Sequence, residues 1–115
     1  SKVLIMGLTY KEDVPDIRES PVFEIVRELT SFRIEVYGYD PLLSCEMIEQ
    51  FGVKALPGLD RQMDAVIMAV GHRQFREMGI SEIRGLMNDH PVLVDVKGIV
   101  DRGETEEMGM RYGRL

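Results

Sequence analysis

Ala65-Val66-Ile67-Met68-Ala69-Val70 is the most apolar run of the chain, and Gly71 closes it. The run lacks the polar alternation of a half-exposed strand, so it reads as a central parallel strand covered on both faces. Working outward, Val3–Met6 reads as a buried strand ending at Gly7, and Ile34–Tyr37 as a further strand, stopped by Gly38, Asp40 and Pro41. Downstream, Val92–Val96 runs into Lys97-Gly98. Amphipathic stretches lie between these strands. Ser20-Pro21 suits the N-cap and first turn of a helix whose buried face is Val22, Ile25, Val26 and Leu29. A second helix is expected over Leu42–Phe51, with Gly52 as its C-terminal cap, and a weaker one over Ser81–Met87. A turn is expected at Pro57-Gly58, and the tail is read as a short helix near Glu104–Met108 and an edge strand near Met110–Tyr112. This alternation predicts an α/β domain, Rossmann-like and three-layered, with a mostly parallel sheet.

The 115 residues, 44% hydrophobic, fit one domain over residues 1–115. With 20 acidic and 14 basic side chains the formal net charge is -6. That excess speaks against a nucleic-acid partner, which needs a basic face, and leaves room only for a local basic pocket. The single cysteine, Cys45, excludes an internal disulfide and a cysteine metal cluster, and it suits a reducing cytoplasm. No apolar run is long enough to cross a bilayer, and no signal stretch is visible, so a soluble cytoplasmic domain is expected. Lys2 leads at once into an apolar strand, where chains usually begin with loosely held residues; a piece of a longer protein is expected.

Ligands of such sheets bind outside the carboxyl ends of the strands, near the point where strand order reverses. The loop after the first strand reads Gly7-Leu8-Thr9-Tyr10-Lys11-Glu12-Asp13-Val14-Pro15-Asp16-Ile17-Arg18-Glu19-Ser20-Pro21. It is no dinucleotide fingerprint, since only Gly7 is present, and no Walker loop, since the second glycine is missing and no Ser or Thr follows Lys11. It offers two cations, Lys11 and Arg18, ahead of a helix whose N-terminal amides favour an anion. From the residues alone the commoner role of these cations is solvation, or pairing with Asp13, Asp16 or Glu19.

Taken whole, the segment resembles the signature of the UDP-glucose/GDP-mannose dehydrogenase family at the start of its C-terminal, nucleotide-sugar-binding domain. Tyr10-Lys11 and Asp16-Ile17-Arg18-Glu19-Ser20-Pro21 match its Gly-x-x-(Phe/Tyr)-Lys-x-x-x-x-Asp-x-Arg-Glu-Ser-Pro in spacing. Tyr39-Asp40-Pro41 resembles the family's Tyr-Asp-Pro, and Asp95-Val96-Lys97-Gly98 its Asp-x-Arg-Asn/Gly. The resemblance implies that Lys11 contacts the nucleotide sugar, with Tyr10 packing beside it. It implies that Arg18 reaches across the domain interface to the cofactor side. Lys97 stands where the family usually carries Arg touching the nucleotide sugar; it keeps the charge but lacks the planar fork. His72, with Phe75 nearby, is placed as a pocket-lining candidate, although a lone loop histidine more often faces solvent.

Other side chains receive humbler roles. Asp40 sits where dinucleotide folds carry their ribose-binding acid; without the fingerprint it is expected to start the turn and cap the next helix. Asp13 and Asp16 lack a supporting cluster for a metal, so no metal site is expected. Cys45 is read as a packing residue inside a helix, His90 has no role, and the eight methionines are core filler. A receiver-like domain is excluded, because Met6-Gly7-Leu8 and Val70-Gly71-His72 offer neither its acidic pair nor its acceptor Asp.

By resemblance, the whole enzyme oxidises the C6 alcohol of a UDP-sugar or GDP-sugar to a carboxylate with NAD, serving polysaccharide biosynthesis. The glycine-rich NAD turn and the catalytic cysteine belong to N-terminal and central domains, and no counterpart of either is present here, so this chain is expected to hold no catalytic residue. The family resemblance also implies a homo-oligomer. The alternative is a non-catalytic structural or interaction module on the same Rossmann-like scaffold.

Overall fold

The computed structural model describes residues 2–9, 22–56, 63–69, 72–77, 80–96 and 101–114. In chain order these form β1 (Lys2–Met6), α1 (Val22–Ser31), β2 (Glu35–Tyr39), α2 (Cys45–Glu49) and β3 (Lys54–Ala55). There follow β4 (Met63–Met68), α3 (Arg73–Glu77), α4 (Ile80–Arg84), β5 (Met87–Asp95), α5 (Arg102–Glu107) and β6 (Arg111–Arg114). The strands make one sheet in the order β3-β2-β1-β4-β5-β6, and every neighbouring pair is parallel. That is the strand order of dinucleotide-binding folds, and its direction reverses between β1 and β4.

Strand alternation divides the core into two layers. Val3 and Ile5 of β1 and Ile67 and Ala69 at the end of β4 pack with Val22 and Val26 of α1 and Ile48 of α2. Leu4 and Met6, with Val66 and Met68, face the opposite side and meet Phe75 of α3, Ile83 of α4 and Leu93 of β5. Each fully buried aliphatic side chain contributes about 1.5–3 kcal/mol. Helices on both faces of a parallel sheet make the three layers that the alternating sequence predicts.

The elements depart from the sequence reading in instructive places. β2 does not stop at Gly38 but continues to Tyr39, with Gly38 paired to both Ile5 and Ala55. α2 begins only at Cys45, because residues 40–43 form a turn: the Leu42 and Leu43 amides both bond back to Asp40. Ser44 is the cap of α2, accepting from the Met47 amide. Cys45 therefore stands exposed at the helix start, not packed inside it. The two-residue β3 and the short α3 carry too little periodicity to be read. β5 starts five residues before Val92, and a register shift opposite Met63 and Ala65 accommodates Pro91, which lacks an amide for the ladder. His90 thus lies within a strand, not ahead of one.

Gly38 is a position where a side chain has no room: a methyl group there would lie 2.9 Å from Val53 Cγ2 and 3.0 Å from Ile48 Cγ2. Gly113 of β6 offers an ordinary 3.8 Å contact. Gly38→Ala is expected to lose about 1–3 kcal/mol through overpacking, and Gly113→Ala to stay within about 0.5 kcal/mol of the parent or gain. Urea unfolding of the two variants checks this; equal midpoints would mean that α2 yields freely.

Candidate functional site

The strand ladder extends slightly past the carboxyl ends of β1, β4 and β5: the Gly7 amide donates to Tyr39, Ala69 to Met6 and Val96 to Met68. Gly7 then turns the chain with a φ of 92°, a conformation glycine adopts readily. Beyond it the Leu8 amide has passed the last rung, and the Asp40 carboxylate at the end of β2 takes the place of a neighbouring strand. Its Oδ2 accepts from the Leu8 amide at 2.8 Å and from His72 Nε2 at 2.9 Å, while Oδ1 accepts from the Leu42 amide at 2.9 Å. The His72 and Asp40 side chains are 2% and 0% exposed. Thr9, also buried, brings its hydroxyl to 3.3 Å from the same His72 nitrogen.

A carboxylate can only accept, so His72 Nε2 carries a proton. Burial pushes the Asp40 carboxyl up, but the bond from His72, those from the Leu8 and Leu42 amides and the charge of His72 outweigh it and hold it below the usual range. The imidazole leans on Phe75, ring centres 5.4 Å apart, and Phe75 on Tyr39, 6.1 Å apart. Threonine, histidine and aspartate together have the composition of a nucleophilic triad, but Thr9 and Asp40 share one ring nitrogen. The relay of a triad needs the acid on one nitrogen and the nucleophile on the other. This arrangement holds loops in place and does not activate Thr9.

A second buried carboxylate, Asp95, ends β5. Tyr112 of β6 donates its hydroxyl to Asp95 Oδ2 at 3.1 Å, and the Arg102 guanidinium lies 5.9 Å from the Tyr112 ring centre. The last described residues before Tyr10 and Lys97 are Thr9 and Val96. Since β1 and β5 both run parallel to β4, their carboxyl ends lie at the same edge of the sheet.

Of the site residues expected from the sequence, Tyr10, Lys11, Arg18 and Lys97 lie outside the described residues, as do Asp13 and Asp16. His72 is described, and it is buried, which overturns the solvent-facing reading of a loop histidine. Asp40 does start the turn at Leu42; Ser44, not Asp40, caps the helix. The carboxylate is engaged by three protein N–H groups and closed off from solvent, so it has no capacity for a ribose. The Asp40–His72 pair spans 32 residues and the Thr9–His72 contact 63, which is why no local pattern announces them.

Residues 4–102 match the UDP-glucose/GDP-mannose dehydrogenase family, UDP binding domain. The chain is 36% identical over 108 residues to the UDP-N-acetyl-D-glucosamine 6-dehydrogenase of Salmonella typhi, covering 92% of this chain and 25% of that one. It is 30% identical over 124 residues to the UDP-glucose 6-dehydrogenase of Rhizobium meliloti (strain 1021), covering 100% of this chain and 27% of that one. Among solved structures, the UDP-N-acetyl-mannosamine dehydrogenase Cap5O from S. aureus aligns with a TM-score of 0.69 and 30% identity over 98% of this chain and 25% of that one. An NDP-N-acetyl-D-galactosaminuronic acid dehydrogenase from Methanosarcina mazei Go1 shares the fold with a TM-score of 0.82 at 23% identity, over 100% of this chain and 24% of that one. The chain thus spans about a quarter of the length of the curated relatives it matches.

Asp40→Asn leaves one acceptor oxygen for donors that now approach two. A loss of about 2–4 kcal/mol is expected at pH 5, between orphaning a neutral donor and breaking a buried pair. Because the folded state holds Asp40 below its ordinary value of 3.8, its contribution is present above that value and is lost as pH falls through the lower, folded one. The stability gap between parent and variant should therefore narrow from about pH 5 to about pH 3. Urea midpoints of both proteins across that interval check it; a gap that widens on acidification is the contrary result.

Proposed function

The chain belongs to the UDP-glucose/GDP-mannose dehydrogenase family, and on that premise we propose that it is the nucleotide-sugar-binding domain of an NAD-dependent UDP-sugar 6-dehydrogenase. The observation that carries this reading is the match to the family's UDP-binding domain over residues 4–102. The parallel sheet supports it by placing the strand ends that lead to Lys11 and Lys97 on one edge. UDP is favoured over GDP because the named relatives are UDP-sugar enzymes. In this reading the whole protein oxidises the sugar C6 alcohol to a carboxylate, works as a homo-oligomer in the cytoplasm and serves polysaccharide biosynthesis.

Lys11 and Lys97 carry the charge in this proposal. An ε-ammonium offers three N–H donors to phosphate oxygens, and in a partly closed crevice each such bond is stronger than in water. Tyr10 packs beside the ligand, His72 supports the crevice from beneath, and Arg18 reaches toward the cofactor-bearing domain. Lys97 gives a point charge where Arg would give two parallel bonds, so it orients the ligand less strictly.

NAD does not fit this crevice. A dinucleotide needs a short glycine-rich turn and a free acid at the end of β2, whereas here Gly7 stands alone and Asp40 is consumed by Leu8, Leu42 and His72. NAD is therefore assigned to the N-terminal domain of the longer protein, which supplies the hydride chemistry. This chain binds and orients the nucleotide end of the substrate.

Lys11→Ala is expected to weaken UDP binding by about 1.5–3 kcal/mol, the value of a charge-assisted hydrogen bond. Lys54→Ala, whose side chain is exposed on β3 beside Glu35, should change it by less than about 0.5 kcal/mol. Calorimetric titration with UDP and GDP decides: equal affinities of the two variants would make Lys11 a solvated surface charge, and no binding of either nucleotide would favour a structural module. Mixed with NAD and UDP-sugars, the chain should produce no NADH above a heat-denatured control.

A further inference from the structure

We infer that Asp40 and His72 are positioning residues for ligand binding, acting through the backbone of Gly7–Thr9; the ligand itself is the one proposed above. The pairing of β1 with both neighbours ends at Met6, opposite Tyr39 and Met68, and one further bond on each flank, from the Gly7 amide to Tyr39 and from the Ala69 amide to Met6, extends the ladder. Side chains from two other segments reach the next two residues. Asp40, just after β2, takes the Leu8 amide, and His72, just before α3, reaches both Asp40 and the Thr9 hydroxyl. The two clamping groups thus come from opposite flanks of the point where strand order reverses. The chain leaves this clamp at Thr9, directly before Tyr10 and Lys11.

The arrangement suits positioning. Both side chains are sealed from solvent, so neither meets a ligand. A binding constellation works only when its anchor is held to within about 0.5 Å. A carboxylate with donors from three places supplies such an anchor: turning or neutralising it releases at least one of them. Asp40→Asn keeps the shape and removes this ability. His72→Phe keeps the ring packing on Phe75 and removes the donor, whereas His72→Gln returns an N–H at similar reach.

The test is made on the isotopically labelled chain by amide hydrogen exchange and by UDP titration, with Ile83→Val in α4, on the other core layer, as a control for lost stability. Asp40→Asn and His72→Phe should speed exchange at Leu8 by about tenfold or more and weaken UDP binding by about tenfold. His72→Gln should recover most of both, and Ile83→Val should leave the Kd for UDP within about twofold. Folded Asp40→Asn and His72→Phe proteins with parent-like Leu8 exchange and parent-like UDP affinity would overturn the inference. So would an equal loss of affinity in Ile83→Val, since global stability would then explain it. If Asp40→Asn does not fold, the contrast between His72→Phe and His72→Gln decides in the same way. If the parent chain binds no UDP, the functional reading falls separately, and exchange at Leu8 decides the positioning role: acceleration confined to Leu8 and Thr9 supports it, and unchanged protection overturns it.

Discussion

A carboxylate taken out of water costs several kcal/mol unless its oxygens are fully engaged, and the Asp40 carboxylate meets that condition with donors from three places in the chain. The Leu8 amide comes from the end of β1, the Leu42 amide from its own turn, and His72 Nε2 from the start of α3. Removing any one leaves a buried polar group short of a partner, so the three loops hold each other. What is locked in this way is the edge of the sheet where strand order reverses and where ligands of this architecture sit.

The rest of the fold serves that edge. A parallel sheet buried on both faces needs helices on each side, and the two core layers divide along the alternation of β1 and β4. Gly38 shows how tight the assembly is beside the carboxylate: α2 and the chain entering β3 lie so close to β2 that no side chain is accommodated. On the far side of the edge, Asp95 and Tyr112 tie β5 to β6. Two buried acids thus stand at the carboxyl ends of β2 and β5, and both are engaged inward by protein hydrogen bonds.

On the function proposed above, this inward use of acid is what lets an acidic chain present a site for an anion. The net charge of -6 comes from residues spread along the chain, and charges more than about 10 Å apart in water are largely screened. What a phosphate meets is set by the few groups at the strand ends. On the function proposed above those groups are Lys11 and Lys97, the second a lysine where the resembled family usually carries arginine, on a chain that is a quarter of its relatives' length.

The sequence determined the layers and the family. Ala65–Val70, Val3–Met6 and Val92–Val96 could only be buried strands, and Val22, Ile25, Val26 and Leu29 could only face a core. The first-loop segment carried the family resemblance without a structure, because a motif of particular residue types at fixed local spacing is legible in the sequence itself. The sequence showed Asp40 as the start of a turn, but the tertiary structure alone decided its burial against His72 and the roles of His72 and Thr9. A loop histidine and a turn aspartate look solvent-exposed in any local window, and only the crossing of β1, β2 and β4 at one edge brings them to 2.9 Å with water excluded. The same holds for Cys45, which local helical pattern placed inside and the turn at Asp40 moved to the surface. Periodicity reports which face of an element is apolar; which elements meet, and which polar groups must then find each other, is set by packing over distances of dozens of residues.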